Sequence, residues 1–158
     1  MADKGTFIPK NPQKYLGTNV RGIQFRSSWE RTMMMVLDSH PSVLGWMSES
    51  LPTRTLHESG IAYRNPFTGR QTLYIPDFFV VYLDRLGKQH TEVIEIKPSD
   101  EVPPMFGGPK VRVSKLKEAR RIINTAKFIA AVEHCVKHGW FFRVATEKDM
   151  FAHRGFAK

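Results

Sequence analysis

Two adjoining runs constrain this chain most. Asp77-Phe78-Phe79-Val80-Val81-Tyr82-Leu83 and Thr91-Glu92-Val93-Ile94-Glu95-Ile96-Lys97 are rich in β-branched and aromatic residues, and Asp84-Arg85-Leu86-Gly87-Lys88 joins them. This pattern predicts an antiparallel hairpin, ended by Pro98. Period-two alternation puts Val93, Glu95 and Lys97 on one face and Ile94 and Ile96 on the other. With the turn pivoting near Leu86 or Gly87, paired positions sum to about 172 to 174. In the even registers Asp77 then stands opposite Glu95 or Lys97, with Cβ atoms about 5 Å apart. Loop position and pleat alone therefore bring two carboxylates and an ammonium together.

Around that hairpin the chain reads as a mixed β-sheet flanked by helices, an α/β fold. Ser27-Ser28-Trp29-Glu30 has the capping-box spacing, and Trp29, Met33, Val36 and Leu37 recur at helical intervals until His40-Pro41. Short apolar pieces at 43–47 and 61–63 predict strands. Asn65-Pro66-Phe67-Thr68-Gly69 predicts a turn into a further strand from Arg70 or Gln71, and Pro76 marks a break or edge. Residues 99–109, with three prolines and two glycines, predict a loop. Residues 110–138 predict a helix with Leu116, Ala119, Ile123, Ala126 and Ala130 on one stripe, a possible break at Asn124-Thr125 and Gly139 as its cap. A strand over 140–145 and a short helical piece over 148–153 complete the order. Residues 1–26 are interrupted by Pro9, Pro12, Gly5, Gly17 and Gly22 and carry five basic residues. They predict a basic extended arm before a domain over 27–158, one whose first 20 residues are dispensable for folding.

Composition narrows the partner. At 158 residues, with 41% hydrophobic and 25% charged residues, one globular core is expected and a disordered or fibrous chain is excluded. Lys and Arg exceed Asp and Glu by 24 to 15, a net charge of +9 that favours a polyanion such as nucleic acid. The single Cys135 excludes an intrachain disulfide and a Cys-rich zinc module. No apolar run approaches the roughly 18 residues of a membrane span, so no membrane partner is expected.

Converging carboxylates such as Asp77 and Glu95 are hard oxygen ligands suited to Mg²⁺ or Mn²⁺. A neighbouring Lys97 can orient or help deprotonate an attacking water and offset charge on a phosphorane-like transition state. An isolated Glu-x-Lys would mean little. Asp77 behind Pro76 on an adjacent strand, in a strongly basic chain, gives it the meaning of metal-assisted phosphodiester hydrolysis. Glu30 is already explained by the capping box, and its place beside the Met33 and Leu37 stripe also allows it to look toward the sheet. Residues 110–127 hold Lys110, Arg112, Lys115, Lys117, Arg120, Arg121 and Lys127 against Glu118 alone, a local +6 suited to a phosphate backbone. His134 and His138, spaced i, i+4, lack a third zinc ligand.

The pattern of Glu30, Pro76-Asp77 and Glu95-x-Lys97 resembles the PD-(D/E)xK nuclease superfamily, whose core is a mixed sheet flanked by helices. More narrowly, the chain resembles the head-completion nucleases of contractile-tailed bacteriophages. The likeness runs through Pro9-Lys10-Asn11-Pro12, Arg26-Ser27-Ser28-Trp29-Glu30, Gly45-Trp46-Met47-Ser48-Glu49, Glu95-Ile96-Lys97-Pro98, Asn124-Thr125-Ala126-Lys127-Phe128 and Phe142-Arg143-Val144-Ala145-Thr146-Glu147. Tn7-type transposon end-cleaving nucleases share the core layout. The resemblance implies metal-dependent cleavage of double-stranded DNA, with Asp77 and Glu95 as ligands, Lys97 as the water-positioning residue and Glu30 as an accessory acid. It also implies action in phage head completion, after packaging and before tail attachment. The implied partner is a portal, neck or other head protein, and the implied place is the head–neck region of the virion, or the host cytoplasm during assembly. A non-cleaving neck adaptor with a nuclease fold and a transposition-type endonuclease are the alternatives.

Overall fold

The computed structural model describes residues 4–49 and 60–151, with no statement about the side chains of residues 150 and 151. Residues 152 and 153 of the expected last helical piece lie outside the described residues. The strands are β1 (Gly5–Phe7), β2 (Ile23–Phe25), β3 (Val43–Ser48), β4 (Ile61–Arg64), β5 (Gln71–Tyr74), β6 (Phe78–Leu83), β7 (Gln89–Ile96) and β8 (Phe141–Ala145). The helices are α1 (Ser28–Ser39), α2 (Lys115–His138) and α3 (Glu147–Phe151).

Four strands form the central sheet in the order β3-β6-β7-β8. The hairpin forms as expected, and Phe78 pairs with Ile94, the register whose positions sum to 172. β3 runs antiparallel to β6, with a bulge between Val43 and Gly45, while β8 runs parallel to β7. A parallel pair needs a long crossover, and α2 supplies it. Because β7 is an inner strand, residues 92–96 are all buried, whichever face they point to. β1-β2 and β4-β5 are separate two-stranded ribbons. The architecture is thus the expected mixed sheet flanked by helices, and no helix among the described residues is long and apolar enough to cross a membrane.

The expected detached arm is instead part of the core. Phe7, Tyr15, Ile23 and Phe25 are buried, and Phe7 and Tyr15 each meet the fully buried Trp46 edge-on, at 5.9 and 4.8 Å between ring centroids. The buried Asp38 near the end of α1 accepts hydrogen bonds from the backbone N–H groups of Lys10 (2.8 Å) and Asn11 (3.0 Å). A boundary at residue 26 therefore divides one core. The widely spaced aromatic anchors have no regular period, and the prolines and glycines between them mask their burial.

The second helix also differs from expectation. It starts at Lys115, where Ser114 caps it by accepting from the Lys117 N–H, and it runs unbroken through Asn124-Thr125 to Gly139, whose φ of 73° suits glycine. Its buried stripe is Arg121, Asn124, Phe128, Ala131 and Cys135, not the one through Leu116, which is exposed. The first half of α2 packs on the 98–111 segment rather than on the sheet, so polar side chains that bind loop carbonyls occupy the inner face. Arg121 donates to the carbonyls of Asp100 (2.8 Å), Val111 and Pro109 (both 3.3 Å), and Asn124 donates to that of Glu101 (2.9 Å). The expected loop is thus stapled to the helix. At Gly108 any Cβ would overlap the Val102 carbonyl.

Candidate active site

The site is built on the open end of the β6-β7 hairpin, within electrostatic reach of Glu30 at the start of α1. Pro76, fully buried, leads into Asp77, which precedes the first paired residue of β6. One residue of ladder extension from Phe78–Ile94 puts Asp77 opposite Glu95, and Asp77 Oδ2 accepts a 2.8 Å hydrogen bond from the Ile96 N–H. Glu95 is buried, with two further partners. Tyr74 Oη donates to its Oε1 at 2.7 Å, and Lys97 Nζ lies 3.3 Å from its Oε2. Burial, and next the Glu95 charge, push the Asp77 carboxyl well above its ordinary 3.8. The same two causes hold the Tyr74 phenol well above 10, so Tyr74 remains a donor.

Glu30 takes the expected place in the cap of α1 and also comes within electrostatic reach of the hairpin. Its N–H donates to Ser27 Oγ (3.2 Å), which caps α1, while its Oε2 accepts from the Arg26 N–H (3.0 Å), one residue earlier than a standard capping box. Burial raises its carboxyl, and the charges of Glu49 and Glu95 add to that, so the side chain stands within electrostatic reach of the hairpin acids. Glu49, the residue after β3, stands in the left-handed region with φ 51°, a conformation uncommon for a residue other than glycine. Its N–H extends the ladder to the Asp77 carbonyl (2.9 Å), and its carboxylate pairs with Arg26, NH1 to Oε1, at 3.1 Å.

Of the basic residues expected to contact DNA, Lys127 alone belongs to this cluster. Its ammonium lies 5.6 Å from the Tyr74 ring centroid and 5.8 Å from that of Tyr63. Burial, then the Lys97 charge, lower it, and Glu95 and Asp77 act in the opposite direction. Lys110 and Arg112 are exposed and precede α2, and Lys115 is exposed on its first turn. Lys117 pairs with Asp100 and Arg120 with Glu101. Arg121 is buried with its guanidinium committed to three loop carbonyls, which removes it from a phosphate-facing surface. His134 and His138 stack on each other, and His138 also stacks on Trp140, which His134 meets at a tilt.

Tyr74, Arg26 and Glu49 are site residues that reading the sequence for chemistry missed. Tyr74 sits three residues before Asp77, a spacing without a recognised meaning, and the Arg26–Glu49 pair spans separate elements.

Asp77 and Glu95 thus interact electrostatically with Lys97, Lys127 and Glu30, and the half-buried Asp77 retains Oδ1 without a hydrogen-bond partner among the described residues. This donor set suits a hard divalent cation. No group of three or more His, Cys, Asp or Glu side chains among the described residues is arranged to hold a metal. Asp77 and Glu95 are the two side chains here that could hold such an ion, which would need further oxygens from water or substrate.

No solved structure matches the chain. The "Head completion nuclease" of Enterobacteria phage T4 is 31% identical over 157 residues, covering 96% of each chain. Residues 40–147, which contain Asp77, Glu95, Lys97 and Lys127, match the family described as TnsA-like endonuclease N terminal, and the chain belongs to that family of endonucleases.

Proposed function

We propose that this protein is a Mg²⁺-dependent (or Mn²⁺-dependent) DNA nuclease that hydrolyses phosphodiester bonds at the Asp77, Glu95 and Lys97 cluster. The observation that carries the reading is the register of the β6-β7 hairpin. It sets two carboxylates opposite each other, with a lysine two residues on, just past the end of β7. A bound divalent ion would polarise the scissile phosphate and lower the pKa of a coordinated water. The chain's own groups do the rest. Tyr74 fixes the Glu95 rotamer through Oε1, and the Ile96 N–H fixes Asp77 through Oδ2. Lys97 Nζ, partly exposed beside Glu95, orients the attacking water. Lys127 supplies a second ammonium toward the phosphate, and Glu30 adds negative charge on the α1 side. Water oxygen bonds to phosphorus as one P–O ester bond breaks, the proton lost by the water is balanced by one that the departing oxygen takes up from solvent, and the products are a phosphate end and a hydroxyl end.

The biological setting we infer is phage head completion, after DNA packaging and before tail attachment, in contact with a portal, neck or other head protein. The support is the likeness to the phage head completion nuclease along nearly the whole of both chains.

The test is cleavage of linear duplex DNA with Mg²⁺ or with EDTA, using Asp77→Ala, Glu95→Ala and Lys97→Ala variants shown to be folded. Each substitution should abolish metal-dependent cutting. A folded Glu95→Ala protein that cuts as fast as the parent overturns the assignment.

A further inference from the structure

The β4-β5 ribbon is fastened to the site at one end and free at the other. Antiparallel pairing of Ile61 with Tyr74 and of Tyr63 with Thr72 defines one face. On it Ile61, Tyr63 and Tyr74 are buried, and Lys127 of α2 lies against the two tyrosine rings. The opposite face, Ala62, Arg64, Gln71 and Leu73, is exposed. Beyond Tyr63 the ribbon leaves the body of the protein, because residues 66–73 are exposed whichever face they belong to. The tip is nonetheless ordered. Asn65 Oδ1 accepts from the N–H groups of Phe67 (2.8 Å) and Thr68 (3.2 Å), the Gly69 N–H donates to the Asn65 carbonyl (2.8 Å), and Arg64 NH1 donates to the Gly69 carbonyl (2.6 Å).

Its surface chemistry is one-sided. Arg64 and Arg70 are the only charged residues between Gly60 and Pro76. Three large apolar side chains stand in solvent beside them: Phe67 at 58% exposure, Leu73 at 55% and Ile75 at 45%. Three large apolar side chains left exposed along one projecting ribbon are the kind of surface that binding covers. The absence of any acid selects a polyanion, and the ribbon's base is hydrogen-bonded to Glu95 through Tyr74. A duplex whose phosphate reaches the acid cluster would therefore run alongside the ribbon, whose tip stands on the order of 15 Å from its base.

We propose that the β4-β5 hairpin lies in the major groove of the DNA duplex next to the scissile phosphate. Arg64 and Arg70 contact the flanking phosphates, and Phe67 and Leu73 meet the groove floor. The major groove is about 12 Å wide and admits a two-stranded ribbon in undistorted B-form DNA, whereas entry into the minor groove, about 6 Å wide, requires the duplex to be widened or kinked. This proposal rests on the nuclease reading and adds a positioning element to it. The ordered tip favours such a role because little conformational freedom is lost on binding.

The experiment measures binding of the full chain to duplex DNA in EDTA across a range of salt concentrations, with cleavage in Mg²⁺ assayed in parallel. Arg64→Ala/Arg70→Ala should make the slope of log K against log[salt] shallower by roughly 1.8, as expected for two lost phosphate contacts. Because Arg64 also holds the Gly69 carbonyl, Arg70→Ala alone provides a control for folding of the tip and should remove roughly 0.9. Arg70→Lys should restore it. Methylation of guanine N7, which lies in the major groove, should interfere with binding of the parent, and less with that of Phe67→Ala. If the parent binds and cuts but the arginine variants keep its slope and Phe67→Ala keeps its interference pattern, the ribbon does not touch DNA and the nuclease reading stands. If the parent fails to bind duplex DNA at all, both readings fall.

Discussion

Tyr74 Oη donates a 2.7 Å hydrogen bond to Glu95 Oε1, which links the projecting ribbon to the inner strand of the sheet. The bond leaves Lys97 to face the second oxygen, so one carboxylate is held from two sides. Tyr74→Phe keeps the ring that packs near Phe128 and Lys127 and removes the donor. A buried carboxylate oxygen left unpaired costs about 1–3 kcal/mol. If that loss falls on the positioning of Glu95, kcat drops about tenfold for each 1.4 kcal/mol, with little change in KM. Steady-state cleavage of a linear duplex measures both constants, and an unchanged kcat would mean that Glu95 needs no such support.

Asp77→Asn should stabilise the metal-free protein. The folded-state pKa of Asp77 is raised, so ionisation opposes folding. The penalty is absent below the unfolded value near 3.8 and grows as pH rises through the folded value. The variant should therefore melt a few degrees above the parent at pH 7 in EDTA, with the difference shrinking toward pH 4. Added Mg²⁺ should raise the melting temperature of the parent and narrow the gap, because an ion bound only to the folded state stabilises it. Thermal melts at both pH values, with and without Mg²⁺, decide the matter.

The hairpin was legible because its determinants are local. A five-residue turn and a period-two pattern set both the register and the face, which was enough to bring Asp77 beside Glu95. The cap of α1 was legible for the same reason, since Ser27 and Glu30 are three residues apart. Contacts across sequence were not. Nothing in the spacing of Phe7 and Tyr15 announces a shared partner in Trp46, some 30 to 40 residues later. Likewise, a buried arginine that ties down carbonyls looks identical in sequence to one that faces phosphate, so Arg121 and Lys127 read alike although the fold gives them different surroundings.

Removal of residues 1–20 should destroy the domain rather than release an arm. It takes away Phe7, Tyr15, the strand that pairs with β2 and the groups bound to Asp38. Two large side chains lost from the core cost about 3–6 kcal/mol, a large share of the 5–15 kcal/mol typical of a domain. The truncated chain should lack a cooperative thermal transition by circular dichroism. A sharp melt near that of the parent would show that the segment only decorates the surface.

The basic residues of α2 should separate into two classes under substitution. Arg121→Ala leaves the carbonyls of Asp100, Val111 and Pro109 without their donors and should destabilise the protein by roughly 3 kcal/mol, with chemical denaturation shifting to lower denaturant. Lys115→Ala removes an exposed ammonium with no side-chain partner among the described residues and should leave stability within about 0.5 kcal/mol of the parent. Lys127→Met has a third signature, because its aliphatic stem can still pack against Tyr63 and Tyr74 while the charge beside Lys97 is lost. Its stability should hold or rise, since burial already disfavours the ammonium, while cleavage falls and the salt slope of DNA binding decreases by roughly 0.9. A Lys127→Met protein that melts like the parent, cuts like the parent and keeps its salt slope would remove Lys127 from the phosphate-binding group.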